Sequence, residues 1–423
     1  MKKCSGISRR KFLKLCGAAT TTAVLSSGTC IFTGCDENSD YIILENGLVY
    51  LNGQYKRCDI LINRGIIQKI DETMTLIDRY SVLLNSNEHE IIDCTDYFIS
   101  PGWVDMHCHI GGMGCELNNL GSQMGVTALV DAGTYGPGTF NTFLNSYHNK
   151  ADIPLFSFLN VRKDGIKIIN MTSANKPGVE DVAGAIELAC NYPDMIKGYK
   201  VRTDKANVTS DDPMFLADIT AQLGAELNLP VMYHLGDPEP HILNFLENMK
   251  PGDIITHCFR ESTNCVLDET GMIWPEVEAA ATKGVMFDVG HGLKSFMFET
   301  ARTALDQNFN KFTISSDLHD LSVTAACKAR TFANVVSKFL AIGLDIEDIT
   351  NKIAVRPRQI LGLPSVIAEN EQIDLTLFSI ADGCYTYTDS GNNYLRGNQR
   401  IFPEYTIING NKVRAGNRDR SLF

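Results

Sequence analysis

The chain has no excess of positive charge, no Cys-x-x-Cys spacing and no long run of strongly hydrophobic residues. Its 423 residues carry 38 Lys and Arg against 50 Asp and Glu, a formal charge of −12. No basic patch, repeat or low-complexity tract offsets that balance, which argues against nucleic acid as a partner. The 13 cysteines are odd in number and scattered, so the expectation is mostly buried free thiols and no disulfide framework. Hydrophobic residues make up 44% of the chain, enough for a large core plus an accessory unit.

The uncharged stretch over residues 15–34 is rich in Ala, Thr and Gly and too weakly hydrophobic for a permanent membrane span. It follows SRRKFLK at residues 8–14, a twin-arginine pattern that predicts an export signal over residues 1–34 and a periplasmic or cell-surface location. The stretch runs into FTGC, which resembles a lipoprotein cleavage box with Cys35 as the lipidated residue. Phe32 is atypical at the first position of that box. A lipid on Cys35 is the one membrane attachment expected. Loss of the six basic residues ahead of Cys35 takes the formal charge from −12 to −18.

What the chain does have is a set of candidate ligands at the ends of apolar runs. His107 and His109 close FISPGWVDMHCH; with a side-chain period of two, both rings of such a strand point to one side and can grip one metal ion. Lys200 in IKGYKVR, His234 in LPVMYHLGD, His257 in GDIITHCFR, His291 in VMFDVGHG and Asp317 in FTISSDLH each follow a short buried-strand pattern. A (β/α)8 barrel repeats about every 31 residues. His107 to Lys200 is 93 residues and His107 to Asp317 is 210, which places Lys200 on strand four and Asp317 on strand eight. The three histidines fall in order between them.

GVTALVDAG and DIPLFSFLNV supply strands two and three, and DVAGAIELACNY, PMFLADITAQLGAEL, WPEVEAAATKG and KARTFANVVSKFLAIG have helical periodicity. The fold class is therefore α/β: a (β/α)8 TIM barrel over residues 101–362, with its site at the C-terminal ends of the strands. Strand-like runs over residues 41–100 and 363–423 cannot each bury a core alone. Together they predict one composite β-sandwich built from both ends of the chain, expected to stabilise the barrel and to help any homo-oligomer contact.

Taken jointly, these motifs resemble the amidohydrolase superfamily, and within it the deacetylase-type branch often labelled dihydroorotase-like. The resemblance runs over residues 41–423. It implies two divalent metal ions, usually zinc, bridged by a carboxylated lysine and a hydroxide. By position, His107, His109, Lys200 and Asp317 would hold the buried metal, and Lys200, His234 and His257 the second. Imidazole and carboxylate suit zinc, whereas a lysine can join them only as a carbamate, because an ammonium has no acceptor. Asp317 would carry the proton from the nucleophile to the leaving group, and His291 would contact the substrate.

Arg202 shares the inward face of strand four with Lys200. It either holds a substrate carboxylate in a bidentate pair or pairs with an acidic loop residue. His89, His148 and His241 read as surface residues, and His319 either supports a ligand from behind or is solvated at the rim. Cys108 and Cys258, adjacent to ligands, are expected to point away from the metals.

The expected activity is hydrolysis of an amide or ester in a small molecule carrying a carboxylate, namely deacetylation of an N-acetyl amino acid or O-acetyl hydroxy acid. The alternatives are cyclic amide opening or dipeptide cleavage at the same binuclear centre, or a lipid-anchored binding protein without catalysis. Two departures narrow the field. Gly111 stands where a dihydroorotase carries an arginine, and Lys200 sets the chain apart from mononuclear deaminases.

Overall fold

The computed structural model describes residues 41–415, apart from 74, 77–88, 112–114, 167–172, 175–177, 205–207, 210–211, 238, 262–263 and 323–328. The expected export signal and Cys35 lie outside the described residues.

Five strands open the chain: β1 (Tyr41–Leu51), β2 (Gln54–Asn63), β3 (Ile66–Asp71), β4 (His89–Asp93) and β5 (Phe98–Pro101). Eight parallel strands then form a second sheet: β6 (Trp103–Cys108), β7 (Val126–Asp131), β8 (Leu155–Asn160), β10 (Ile196–Arg202), β12 (Val231–His234), β13 (Ile254–Thr256), β14 (Met286–Asp288) and β15 (Phe312–Thr313). A two-residue pair, β9 (Ser173–Ala174) with β11 (Val208–Thr209), lies apart. The chain ends in β16 (Leu375–Thr388), β17 (Tyr394–Ile408) and β18 (Asn411–Arg414).

Every residue of β6, β7 and β8 is buried, as a parallel sheet covered on both faces requires. Val104, Met106, Ala128, Val130, Phe158, Met232 and Ile254 form one interior cluster, which fills the barrel as a packed core. The barrel closes where the segment after β15 meets β6. Asp317 N–H donates to the His107 carbonyl at 2.6 Å, and His109 N–H to the Leu318 carbonyl at 2.9 Å. Closure itself thus brings the outer-strand candidates together. Helices such as Val182–Asn191, Phe215–Leu227, Pro275–Lys283 and Phe332–Ile342 occupy the predicted periodic segments.

The two ends of the chain share one eight-stranded sheet. β1 pairs with β2 antiparallel and with β4 and β5 in parallel, and β5 pairs antiparallel with β16. Its tight hairpins have a local cause. Asn52-Gly53, Arg64-Gly65 and Asn409-Gly410 all have positive φ at both positions, the two-residue geometry whose twist matches the flanking strands. The long β16–β17 hairpin continues over the helix Phe332–Ile342, where Ile401 N–H donates to Ser337 Oγ at 3.1 Å. Of the described cysteines six are buried, and Cys190 and Cys384 are exposed.

Candidate metal centre

His107 and His109 stand at the end of β6, and Asp317 four residues beyond β15. One ligand atom from each lies within 4.8 Å of the other two. Asp317 Oδ1 is 3.1 Å from His109 Nε2 and 3.4 Å from His107 Nε2. On the other side of the mouth, His234 Nδ1 and His257 Nε2 approach to 3.0 Å. Lys200 is between the two groups, its Nζ 3.3 Å from His107 Nε2.

Each imidazole is aimed by a partner on its other nitrogen. His107 Nδ1 meets Thr256 Oγ1 at 2.8 Å, and that hydroxyl donates to Asp288 Oδ2 at 2.8 Å. His109 Nδ1 meets Thr134 Oγ1 at 2.8 Å, and His257 Nδ1 donates to the Gly290 carbonyl at 2.7 Å. His234 turns Nε2 toward Asp204 Oδ1 at 3.4 Å. The Asp288-bound hydroxyl of Thr256 and the Gly290 carbonyl put the ring protons of His107 and His257 on Nδ1 and leave Nε2 as a lone pair facing inward.

Burial disfavours the charged form of three of these rings. It pushes His107 down to about 4, assisted by the Lys200 charge, and holds His234 and His257 well below the usual imidazole range. Burial also lowers the Lys200 amine to about 8. For Asp317 burial opposes ionisation, but His107 and His109 outweigh it and hold the carboxyl well below its ordinary value.

The donor set fits divalent metal ions. His234 Nδ1 and His257 Nε2, 3.0 Å apart, are spaced to share one cation, whether a proton or a metal ion. Zinc bonds of about 2.0–2.1 Å in tetrahedral array put neighbouring ligand atoms about 3.3 Å apart, close to the spacings found here. Above these residues opens a cavity of about 400 Å³, whose walls include Ile166, Arg202, Asp237, Arg260, Lys294 and His319.

No protein-family profile matches the chain. It is similar to a deacetylase of Brucella anthropi, 28% identical over 333 residues that cover 77% of this chain and 82% of the other. To a deacetylase of Enterococcus faecalis it is 30% identical over 322 residues, 74% of this chain and 86% of that one. The chain belongs to the amidohydrolase superfamily. A solved dihydroorotase shares the amidohydrolase architecture with a TM-score of 0.78 and 26% identity, covering 89% of this chain and 98% of that one. The protein is thus a metal-dependent hydrolase with a barrel fold, and a His-His-Asp group stands at the barrel mouth.

Several sequence expectations change on this amidohydrolase scaffold. His291 does not line the cavity. It is fully buried, with Nδ1 3.0 Å from the Gly292 carbonyl, Nε2 2.8 Å from Lys338 Nζ and the ring stacked on Phe296. The left-handed Gly290 and Gly292, both at φ +48°, turn the segment so that the ring between them enters the barrel wall. Arg202 takes the acidic partner: its Nε donates to Asp204 Oδ1 at 2.7 Å. His241 is a helix cap, its Nδ1 accepting from Leu243 N–H, and it packs edge-on to Trp274. His148 is half-buried. His319 lines the cavity and is only 2% exposed.

At Gly111 an added Cβ would sit 1.9 Å from the Tyr147 ring. The space an arginine side chain would need there is filled by Tyr147. Sequence reasoning missed Arg260, Asp237, Asp204, Asp288 and Thr256. The signal for Asp288 was a lone carboxylate in the apolar run VMFDV. In the structure Asp288 pairs in register with Thr256 on one side and Thr313 on the other.

Proposed function

We propose that this amidohydrolase removes the acetyl group from a small N-acetyl amino acid or O-acetyl hydroxy acid at a binuclear centre. His107, His109 and Asp317 would hold one divalent ion, zinc in our reading, and His234 and His257 the other, with Lys200 joining both as a carbamate. The observation that carries the reading is the convergence of four inward-facing imidazoles, Asp317 and a lysine lowered to about 8 at the floor of one small cavity. The deacetylase relatives support the choice of acyl group.

When bound, such ions supply Lewis acidity that polarises the scissile carbonyl and eases ionisation of water. Asp317, held ionised, takes the proton of the attacking water and passes it to the departing amine or alcohol. The glycine at 292 permits that placement, since a Cβ there would meet Asp317 Oδ2 at 2.3 Å.

Arg260 would receive the substrate carboxylate. Its Nη1 is fixed by the Leu235 carbonyl and its Nη2 by Asp237, while its buried Nε has no partner among the described residues. A guanidinium anchored in this way is already oriented for a bidentate anion and loses little freedom on binding. Lys294 adds a second, exposed cation at the rim.

Acetate release from a panel of D- and L-N-acetyl amino acids and O-acetyl hydroxy acids tests the reading, using protein loaded with zinc and bicarbonate. Release that disappears in Lys200→Ala supports it, and Arg260→Met is expected to raise KM mainly for carboxylate-bearing substrates. Two bound metals with no acetate release would shift the reaction to cyclic amides or dipeptides. Export by the twin-arginine route and lipid attachment at Cys35 belong to the same proposal. Recovery of Cys35→Ser in the soluble fraction, with the unaltered chain in membranes, is the expected result.

A further inference from the structure

Lys338 is fully buried in the middle of the helix Phe332–Ile342, outside the cavity lining. A lysine in such a place needs acceptors for its hydrogens. Two are the His291 Nε2 at 2.8 Å and the Thr388 carbonyl at 2.8 Å. Because lysine is only a donor, Nε2 of His291 must be the acceptor. The ring proton then resides on Nδ1 and is donated to the Gly292 carbonyl at 3.0 Å. Lys338 thus selects the tautomer that lets His291 close the turn Gly290 to Gly292 upon itself.

That turn lies directly against the metal centre. The Gly290 carbonyl receives the Nδ1 proton of His257, and a Cβ at Gly290 would be 2.4 Å from Thr256 Oγ1 and 3.0 Å from His107 Nδ1. Gly292 touches Asp317 as described above. Displacing the turn by a few tenths of an ångström would therefore reach His257, His107 and Asp317 together.

The far end of the contact lies in the composite sheet. Thr388 is the last residue of β16, and the two residues after it brace the segment that follows His291. Phe298 N–H donates to Asp389 Oδ2 at 3.2 Å, Phe296 N–H to Ser390 Oγ at 3.1 Å, and Ser390 N–H to the Phe296 carbonyl at 2.9 Å.

The geometry points to Lys338 as a positioning residue of the active site: through the His291 tautomer it fixes the Gly290–Gly292 turn that aims His257 and Asp317, and it ties that turn to the terminal sheet. The proposal rests on the reading of His257 and Asp317 as parts of the centre.

The decisive variants are Lys338→Met, which keeps the bulk and removes the donor, and Lys338→Gln, which keeps a donor without the charge. Loss of an outer partner of this kind costs about 10–100-fold. For Lys338→Met we expect kcat to fall by about that factor with KM within about twofold, and metal to be lost faster to a chelator. Lys338→Gln is expected to recover most of both. The second readout is nitrogen-15 NMR of the imidazole rings, which in the unaltered protein should show His291 protonated at Nδ1 and in Lys338→Met a mixture of tautomers.

A His291 ring protonated at Nε2 in the unaltered protein overturns the proposal even if no variant folds. So does Lys338→Met with unchanged kcat and metal retention, or Lys338→Gln as impaired as Lys338→Met. If no substrate in the acetyl panel turns over, the tautomer and metal-retention readouts still decide the role of Lys338. That outcome would count against deacetylation alone.

Discussion

At the seam where β6 meets the segment after β15, the encoded side chains supply two imidazoles and a carboxylate within 4.8 Å of one another. At the ends of β12 and β13 they supply two imidazole nitrogens 3.0 Å apart, and among the described residues no carboxylate pairs with those two atoms. The Asp204 carboxylate near His234 faces its other nitrogen. The first side therefore carries its own negative charge to offset a cation, and the second does not. What lies between them is Lys200, buried, with no carboxylate in ion-pair distance among the described residues. In our reading the anion of the second side is made after translation, on an amine that burial has brought to about 8.

Asp317→Asn breaks the first side and has the largest expected effect. It removes the one formal charge there and the proton carrier, so kcat should fall by about 10⁴, the upper range for a lost acid–base group, while thermal unfolding stays cooperative. Measurable turnover within tenfold of the unaltered enzyme would take the proton role from Asp317. Lys200→Ala breaks the second side. The expected outcome is one metal per chain in place of two, with small carboxylates in solution partly restoring the second ion by filling the vacated space. Two firmly held metals in Lys200→Ala would remove the need for a carbamate and with it the asymmetry argued here.

The same contrast explains what could be read from sequence. The candidate residues at the barrel mouth were legible because each is a polar residue ending an apolar strand run, and barrel spacing put them in order. The supports were not. Thr256 and Asp288 sit inside strands of three residues, too short for periodicity to reveal a face, and Asp288 acts through the hydroxyls of Thr256, Thr313 and Ser315. For His291 the sequence shows only its position after strand seven, which points to substrate contact. The two left-handed glycines that rotate it into the wall act through backbone conformation. Arg202 could not be resolved because its partner, Asp204, lies in the loop that follows the strand. The bracing of residues 296–298 by residues 389–390 joins segments about 90 residues apart that share no motif.

Thr256→Val tests how far the first side depends on its supports. The valine keeps the shape and removes the hydroxyl between His107 and Asp288, so His107 Nδ1 is left with only the longer approach to Asp288 Oδ2 at 3.4 Å. A loss of about 10–100-fold in metal affinity is expected, greater for the ion bound by His107 and His109 than for the other. Equal weakening of both ions would mean that the two sides form a single mechanical unit, and the comparison would lose its force.

The smallest effect is also the one that reads the second side directly. The folded Lys200 titrates at about 8 and an ordinary lysine at 10.5, so between those values the unfolded chain binds more protons than the folded one. Stability of the metal-free protein contributed by this group therefore rises with pH through that window, and the penalty is fully present below it, at about 3 kcal/mol. Only the neutral amine can capture carbon dioxide. An amine titrating at about 8 is roughly one-tenth neutral at pH 7 and half neutral at pH 8, so uptake of the second metal at fixed dissolved carbon dioxide should speed up about fivefold across that unit. An amine at its ordinary position would instead give about a tenfold rise, continuing with the same slope to pH 9. That steeper, unbending profile would show that burial does not prepare Lys200 for modification, and the second side of the centre would need another source of charge.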